Sequence, residues 1–212
     1  MKKNYIIIGD SITYGIGSKE TGGWANLFKN DILRNDDTKE CSSYVHIMGY
    51  PGVTSSDIFE KKETIFESVK SDNCRNVVIL SIGLNDTQEI DGKNKVSRMN
   101  FLENIVLLMK FFQERADLIM LGLTRVDSKD KFFWKPRKFY DNDTIDFYDS
   151  LIEKECKILC AEYIPLRDVL THEDYIDGLH PNDEGHKKIF GVVKEKVERY
   201  IKSCDDEMKK DY

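Results

Sequence analysis

Short strand-like runs alternate with longer amphipathic ones along most of the chain. Tyr5–Ile8, Tyr44–Met48, Asn76–Ile82, Leu118–Leu123 and Glu162–Ile164 are of strand length. They are separated by Gly23–Arg34, Ser56–Ser71, Ser97–Arg115 and Thr144–Ala161, which read as helices. A last helix is expected from Asn182 to about Ile201, where Ile189, Val193, Val197 and Tyr200 recur at spacings of four and three. Asn182 precedes Asp183 and Glu184, acids suited to a helix N-terminus. Strand-helix alternation of this kind predicts a parallel sheet covered on both faces through right-handed crossovers. The expected unit is one three-layer α/β/α domain over residues 1–202, followed by a charged, frayed tail over 203–212.

The first run ends unusually. Tyr5-Ile6-Ile7-Ile8 reads as a strand buried on both faces, yet it delivers Gly9-Asp10-Ser11. Ligands bind beyond the carboxyl ends of strands in open parallel sheets, so Ser11 is the candidate nucleophile. A serine hydroxyl needs a base, usually a histidine oriented by a carboxylate. Of the four histidines, His46 falls inside a strand, His172 sits in a polar turn with no partner pattern, and His186 falls on the last helix. His180 stands in Asp177-Gly178-Leu179-His180-Pro181, where Gly178 permits a tight turn and Asp177 is near enough to fold back on the imidazole. By itself this segment reads as a helix-entry turn with a surface histidine; beside Gly-Asp-Ser it reads as a base and its orienting acid.

Acyl transfer also needs hydrogen-bond donors aimed at the oxyanion. Gly52, after the second strand, can present a backbone N–H unobstructed by a side chain. After the third strand, Gly83-Leu84-Asn85-Asp86 places the amide of Asn85 at a tight turn. Taken in this order, Gly9-Asp10-Ser11, Gly52, Gly83-Leu84-Asn85-Asp86 and Asp177-Gly178-Leu179-His180-Pro181 resemble the SGNH (GDSL) hydrolase family, over a span from about Tyr5 to Ile201. The resemblance implies a flavodoxin-like, five-stranded parallel sheet in the order 2-1-3-4-5. It makes Ser11 the nucleophile, His180 the base and Asp177 its orienting acid, with the Ser11 N–H, Gly52 N–H and Asn85 side chain as the oxyanion hole. Asp10 and Asp86 match motif positions too and read as turn-holding groups. The second block of this family usually begins with asparagine, and Ile47 stands there instead. The Gly-x-Ser-x-Gly elbow of other α/β-hydrolases is absent from the sequence.

The longest segment without a regular pattern, Arg125–Asp143, carries Phe132, Phe133, Trp134, Phe139 and Tyr140. These aromatics either line a substrate cleft, with Phe133 and Trp134 as candidate substrate contacts, or cover a sheet edge or a contact between copies.

Charge and cysteine content narrow the partners. The net charge is 32 − 38 = −6, a field that repels nucleic acid and anionic membranes. The basic run Lys135-Pro136-Arg137-Lys138 is short and reads as solvated loop. Five cysteines without a C-x-x-C pair suggest reduced thiols, and Cys156 and Cys160, four apart, are expected to share one packed helix face. With no signal-like or membrane-length apolar run, a cytoplasmic location is expected. The expected partner is a small soluble ester of a short-chain acid or an O-acetyl sugar, with no cofactor and no metal. Two other classes are weighed: a non-catalytic flavodoxin-like module binding a nucleotide or another small molecule, and a metal-dependent hydrolase using Asp177, His180 and His186. The first lacks a Gly-x-Gly-x-x-Gly cradle; the second has only three ligands at loose spacing.

Overall fold

A computed structural model describes residues 2–35, 43–128, 132–135 and 137–208. Five strands form a central, all-parallel sheet: β1 (Lys3–Gly9), β2 (Tyr44–Gly49), β3 (Arg75–Ser81), β6 (Asp117–Leu121) and β9 (Glu162–Ile164). The spatial order is β2-β1-β3-β6-β9. Counted as core strands alone, that is the expected 2-1-3-4-5. β1 lies inside the sheet with Tyr5–Ile8 fully covered, which explains why its apolar residues are continuous rather than alternating.

The described residues form the helices α1 (Ser11–Tyr14), α2 (Trp24–Asn35), α3 (Ser55–Val69), α4 (Arg98–Gln113) and α5 (Asn142–Leu159) between strands, and α6 (Asp183–Met208) after the last one. α3, α4 and α5 pack side by side, and α2 packs with α6. On α4 the buried residues Phe101, Ile105, Leu108, Met109 and Phe112 form one stripe at helical spacing. On α6 Ile189, Val193, Val197 and Ile201 do the same.

Register sets the rim of the sheet. Gly9 pairs with Gly49 on one side and Ser81 on the other, so the loops leaving β1, β2 and β3 emerge level with one another. Gly9 is required at this point because a Cβ there would fall 2.2 Å from Thr13 Oγ1 and 2.7 Å from the Ser81 carbonyl. The chain therefore turns directly into α1 while lying flat against its neighbour strand.

Three local expectations are corrected. The segment after β6 is not irregular throughout: β7 (Phe132–Lys135) and β8 (Lys138–Tyr140) form a hairpin. β8 also pairs with β4 (Glu89–Ile90), which turns back into β5 (Lys93–Asn94), giving a small antiparallel sheet in the order β5-β4-β8-β7. The tail does not fray at residue 203, because α6 continues to Met208 and Asp205 pairs with Lys3 and Arg75, the first residues of β1 and β3. Cys156 is buried, but Cys160 is exposed: α5 ends at Leu159, and Cys160 caps it in a left-handed conformation that turns its side chain off the packed face. The four described cysteines are free thiols. Cys41, Pro136 and residues 209–212 lie outside the described residues.

Candidate active site

Ser11 opens α1 directly beyond β1 and is almost wholly covered. Asp10 caps that turn, its Oδ1 accepting from the Ile12 N–H at 2.9 Å. Burial pushes the Asp10 carboxyl up to about 6, against the opposing pull of the Ile12 hydrogen bond.

The opposite end of the chain arrives through a tight loop. Tyr175 and Pro181 form an isolated antiparallel bridge, and the Ile176 N–H donates to the His180 carbonyl at 3.0 Å. Inside this loop Asp177 Oδ1 accepts from the backbone N–H groups of Leu179 (3.0 Å) and His180 (2.7 Å). Its other oxygen, Oδ2, lies 2.8 Å from His180 Nδ1. The far ring nitrogen, Nε2, lies 3.0 Å from Ser11 Oγ. With Nδ1 protonated toward the carboxylate, Nε2 is left as an acceptor facing the hydroxyl. Burial works to raise the Asp177 carboxyl, but the His180 N–H and imidazole and the Leu179 N–H outweigh it and hold the group below its ordinary value.

Two side chains of α6 tie this loop to the first one. Asp183 receives the Ser18 hydroxyl and the N–H groups of Lys19, Glu20 and Thr21. His186 is fully buried; its Nδ1 accepts from the Trp24 N–H (3.3 Å) and its Nε2 donates to the Ile16 carbonyl (3.0 Å). Burial lowers its pKa, so a neutral brace fits the position. Both ring nitrogens are taken by backbone groups, which removes His186 from the ligand set Asp177, His180 and His186. Among the described residues no group of three or more His, Cys, Asp or Glu could hold a metal ion. His172, read as lacking a partner, lies 2.6 Å from Asp127 Oδ2 through Nδ1; the partner is 45 residues away and left no local pattern.

A cleft of about 320 Å³ opens over Ser11 and His180 and is also lined by Gly52, Asn85, Trp134 and Tyr140. Gly52 has φ +81°, and a Cβ placed on it would meet nothing within 4 Å, so its backbone borders open space. Asn85 sits on a 3₁₀ turn (Leu84–Thr87) beyond β3. One N–H of its amide donates to the Val53 carbonyl at 3.0 Å, while Asp10 Oδ2 stands at 3.5 Å, the outer limit of a hydrogen bond. Its Oδ1 accepts from the buried Tyr140 hydroxyl at 3.3 Å, which in turn accepts from Gln88 Nε2 at 2.9 Å. This relay fixes which way the amide faces. Gln88 caps the same turn, but Tyr140 lies 55 residues from Asn85 and no local pattern links the two.

The candidate contacts Phe133 and Trp134 are separated. The Trp134 ring lies edge-to-face against His180, with centroids 5.2 Å apart. Phe133 is 70% exposed and packs against Phe139, because adjacent residues of a strand point to opposite sides.

Asp86 also departs from its expected role. It does not hold its own turn; its carboxylate accepts from the Ser55 N–H and hydroxyl and so anchors the start of α3. There it acts beside the Thr54–Asp57 capping box. Burial pushes its carboxyl up to about 7, against the hydrogen bonds of Ser55. Between its ordinary value of 3.8 and about 7 the folded chain holds a proton that the unfolded chain has lost. Stability contributed by this group is therefore lost as pH rises through that window. Asp86→Asn should flatten the decline by up to about 1.4 kcal/mol per pH unit. Urea unfolding of both forms at several pH values between 4 and 8 checks this, and parallel stability curves would rule it out.

A parallel α/β/α fold with serine, histidine and carboxylate gathered at the carboxyl rim of its sheet is the arrangement of an SGNH-type hydrolase. The chain belongs to the GDSL-like Lipase/Acylhydrolase family, whose sequence model matches residues 7–188, and so to a group of hydrolases acting on esters. No curated protein sequence matches it. Among solved structures it is similar to a variant of an acetyl xylan esterase from Geobacillus stearothermophilus, at 17% identity and a TM-score of 0.71 over 92% of this chain and 94% of that one. A lipase/acylhydrolase from Enterococcus faecalis gives 20% and 0.71 over 93% and 95%. The psychrotrophic esterase EstA from Pseudoalteromonas sp. gives 16% and 0.69 over 94% and 98%. Among the described residues no helix is long and apolar enough to cross a membrane.

Proposed function

We propose that this protein is a serine esterase that cleaves a small ester, of a short-chain acid or an O-acetyl sugar, through an acyl-enzyme. The observation that carries the reading is the unbroken hydrogen-bonded line from Ser11 Oγ through His180 to Asp177. His180 takes the Ser11 proton through Nε2 as the oxygen attacks the ester carbonyl. Asp177 holds the ring in the required tautomer and stabilises the imidazolium that forms. The imidazolium then gives its proton to the departing alcohol, and water repeats the sequence to release the acid.

The tetrahedral oxyanion is received by the backbone N–H groups of Ser11 and Gly52 and by the second N–H of Asn85, which has only a distant claim on Asp10. Every group needed comes from the chain itself, so no cofactor or metal is called on. Against a nucleotide-binding module, the N-terminus of α1, where a phosphate would sit on such a fold, is already capped by the Asp10 carboxylate.

The direct test is labelling by a fluorophosphonate together with turnover of 4-nitrophenyl acetate. Modification confined to Ser11 is expected; labelling elsewhere, or none alongside measurable turnover, would reject the assignment. Asn85→Ala should lower kcat by about 100- to 1000-fold with little change in KM, since the amide acts on charge present only in the transition state. Tyr140→Phe frees the amide without removing it and should fall between Asn85→Ala and the parent. A loss in Asn85→Ala carried by KM alone would make that residue a substrate contact instead.

A further inference from the structure

Three lysines reach the mouth of the cleft: Lys95, from the turn after β5, and Lys135 and Lys138, from the β7–β8 hairpin. No aspartate or glutamate among the described residues lines it with them. Among the described residues none of the three has a carboxylate within 4 Å. Lys95 is held in place by donating from Nζ to the Gly52 carbonyl at 2.8 Å. Lys135 and Lys138 are directly opposite each other across the hairpin, a like-charge pairing that repels. The register shift between Phe133 and Lys135 lets consecutive residues, Trp134 and Lys135, both border the cleft. On a chain of net charge −6 this is a local reversal of sign at the entrance to the reactive serine.

We infer that this lysine cluster is an anion subsite and that the ester hydrolysed here carries a carboxylate, phosphate or sulfate on its alcohol moiety, such as an acylated sugar acid or sugar phosphate. The inference rests on the esterase reading for its chemistry. The side of the substrate follows from Trp134: it lies against His180, the group that hands a proton to the leaving oxygen, so the hairpin is what the alcohol moiety meets. An anionic group there is attracted by Lys135 and Lys138 and relieves their mutual repulsion. Local sequence conflicts of this kind concentrate at functional sites.

The test compares acetyl esters of matched alcohols: a neutral methyl glycoside, the corresponding uronic acid glycoside and the corresponding sugar phosphate. At low salt at least one anionic ester should exceed the neutral one in kcat/KM by about tenfold, the scale of two or three partly solvated ion pairs. That advantage should shrink as added salt shortens the screening length. In Lys135→Gln/Lys138→Gln the ratio of anionic to neutral kcat/KM should fall close to one. Which anionic arm responds identifies the source of the charge. Calorimetric binding of the same three esters to Ser11→Ala gives a second readout independent of turnover, and should show the same tenfold order. Absent hydrolysis of every ester, with this binding order intact, would reject the esterase reading and keep the subsite. Equal values across the three alcohols, or a preference unmoved by the double substitution, would overturn the subsite itself.

Discussion

Ser11→Ala should reduce turnover of 4-nitrophenyl acetate by about 10⁴- to 10⁶-fold, the range expected when a covalent route through an activated serine is removed. The proposed oxyanion donors and the cleft remain, so a small residual rate over water is expected rather than none. Stability should barely change, because the hydroxyl's partner among the described residues is His180 Nε2 and that nitrogen can take a water in its place. The informative comparison is therefore between activity and the urea midpoint measured on the same preparation. Turnover within tenfold of the parent would exclude Ser11 as the attacking group. A collapse of both quantities together would mean that the substitution acted through the fold.

Asp177→Asn is the second large effect, and its direction follows from how the carboxylate is used. Oδ1 accepts two backbone N–H groups, from Leu179 and His180, and only Oδ2 faces the imidazole. An asparagine must keep its carbonyl oxygen toward the two N–H donors, which puts its NH₂ against His180 Nδ1. A donor there can be satisfied only if Nδ1 gives up its proton, which moves the proton to Nε2 and blocks that nitrogen as a base for Ser11. A loss of about 10³- to 10⁴-fold in kcat is expected with the loop conformation intact. Asp177→Ala, which leaves the tautomer free, should be less damaging per unit of stability lost. A change of less than tenfold in the asparagine variant would show that His180 takes its tautomer from something other than Asp177.

Much of this arrangement is legible along the chain. β1 announces itself as four consecutive buried apolar residues, and the strand order 2-1-3-4-5 follows once the family blocks are seen in sequence. The small antiparallel sheet was harder to see. Its strands are two to four residues long, too short for a period to register. One local signal was present: Asp91 and Gly92 both have positive φ, at 52° and 80°, and an Asp-Gly pair between short strands marks a tight hairpin. The tail offers no such cue, because Asp205 is held by Lys3 and Arg75, which lie 202 and 130 residues away.

Residue identity by itself determined the parts: a strand ending in Gly-Asp-Ser, a histidine three residues after an aspartate, an amide on a tight turn, and helices whose apolar stripes cover a sheet. These depend on windows of a few residues, within which spacing and turn chemistry act. Only the tertiary structure decided that Ser11 and His180, 169 residues apart, meet at 3.0 Å, that Tyr140 aims Asn85, and that Trp134 rather than Phe133 faces the histidine. Those pairings arise from sheet register, helix packing and a hairpin laid across the rim, interactions between segments that have no periodic relation to one another along the chain.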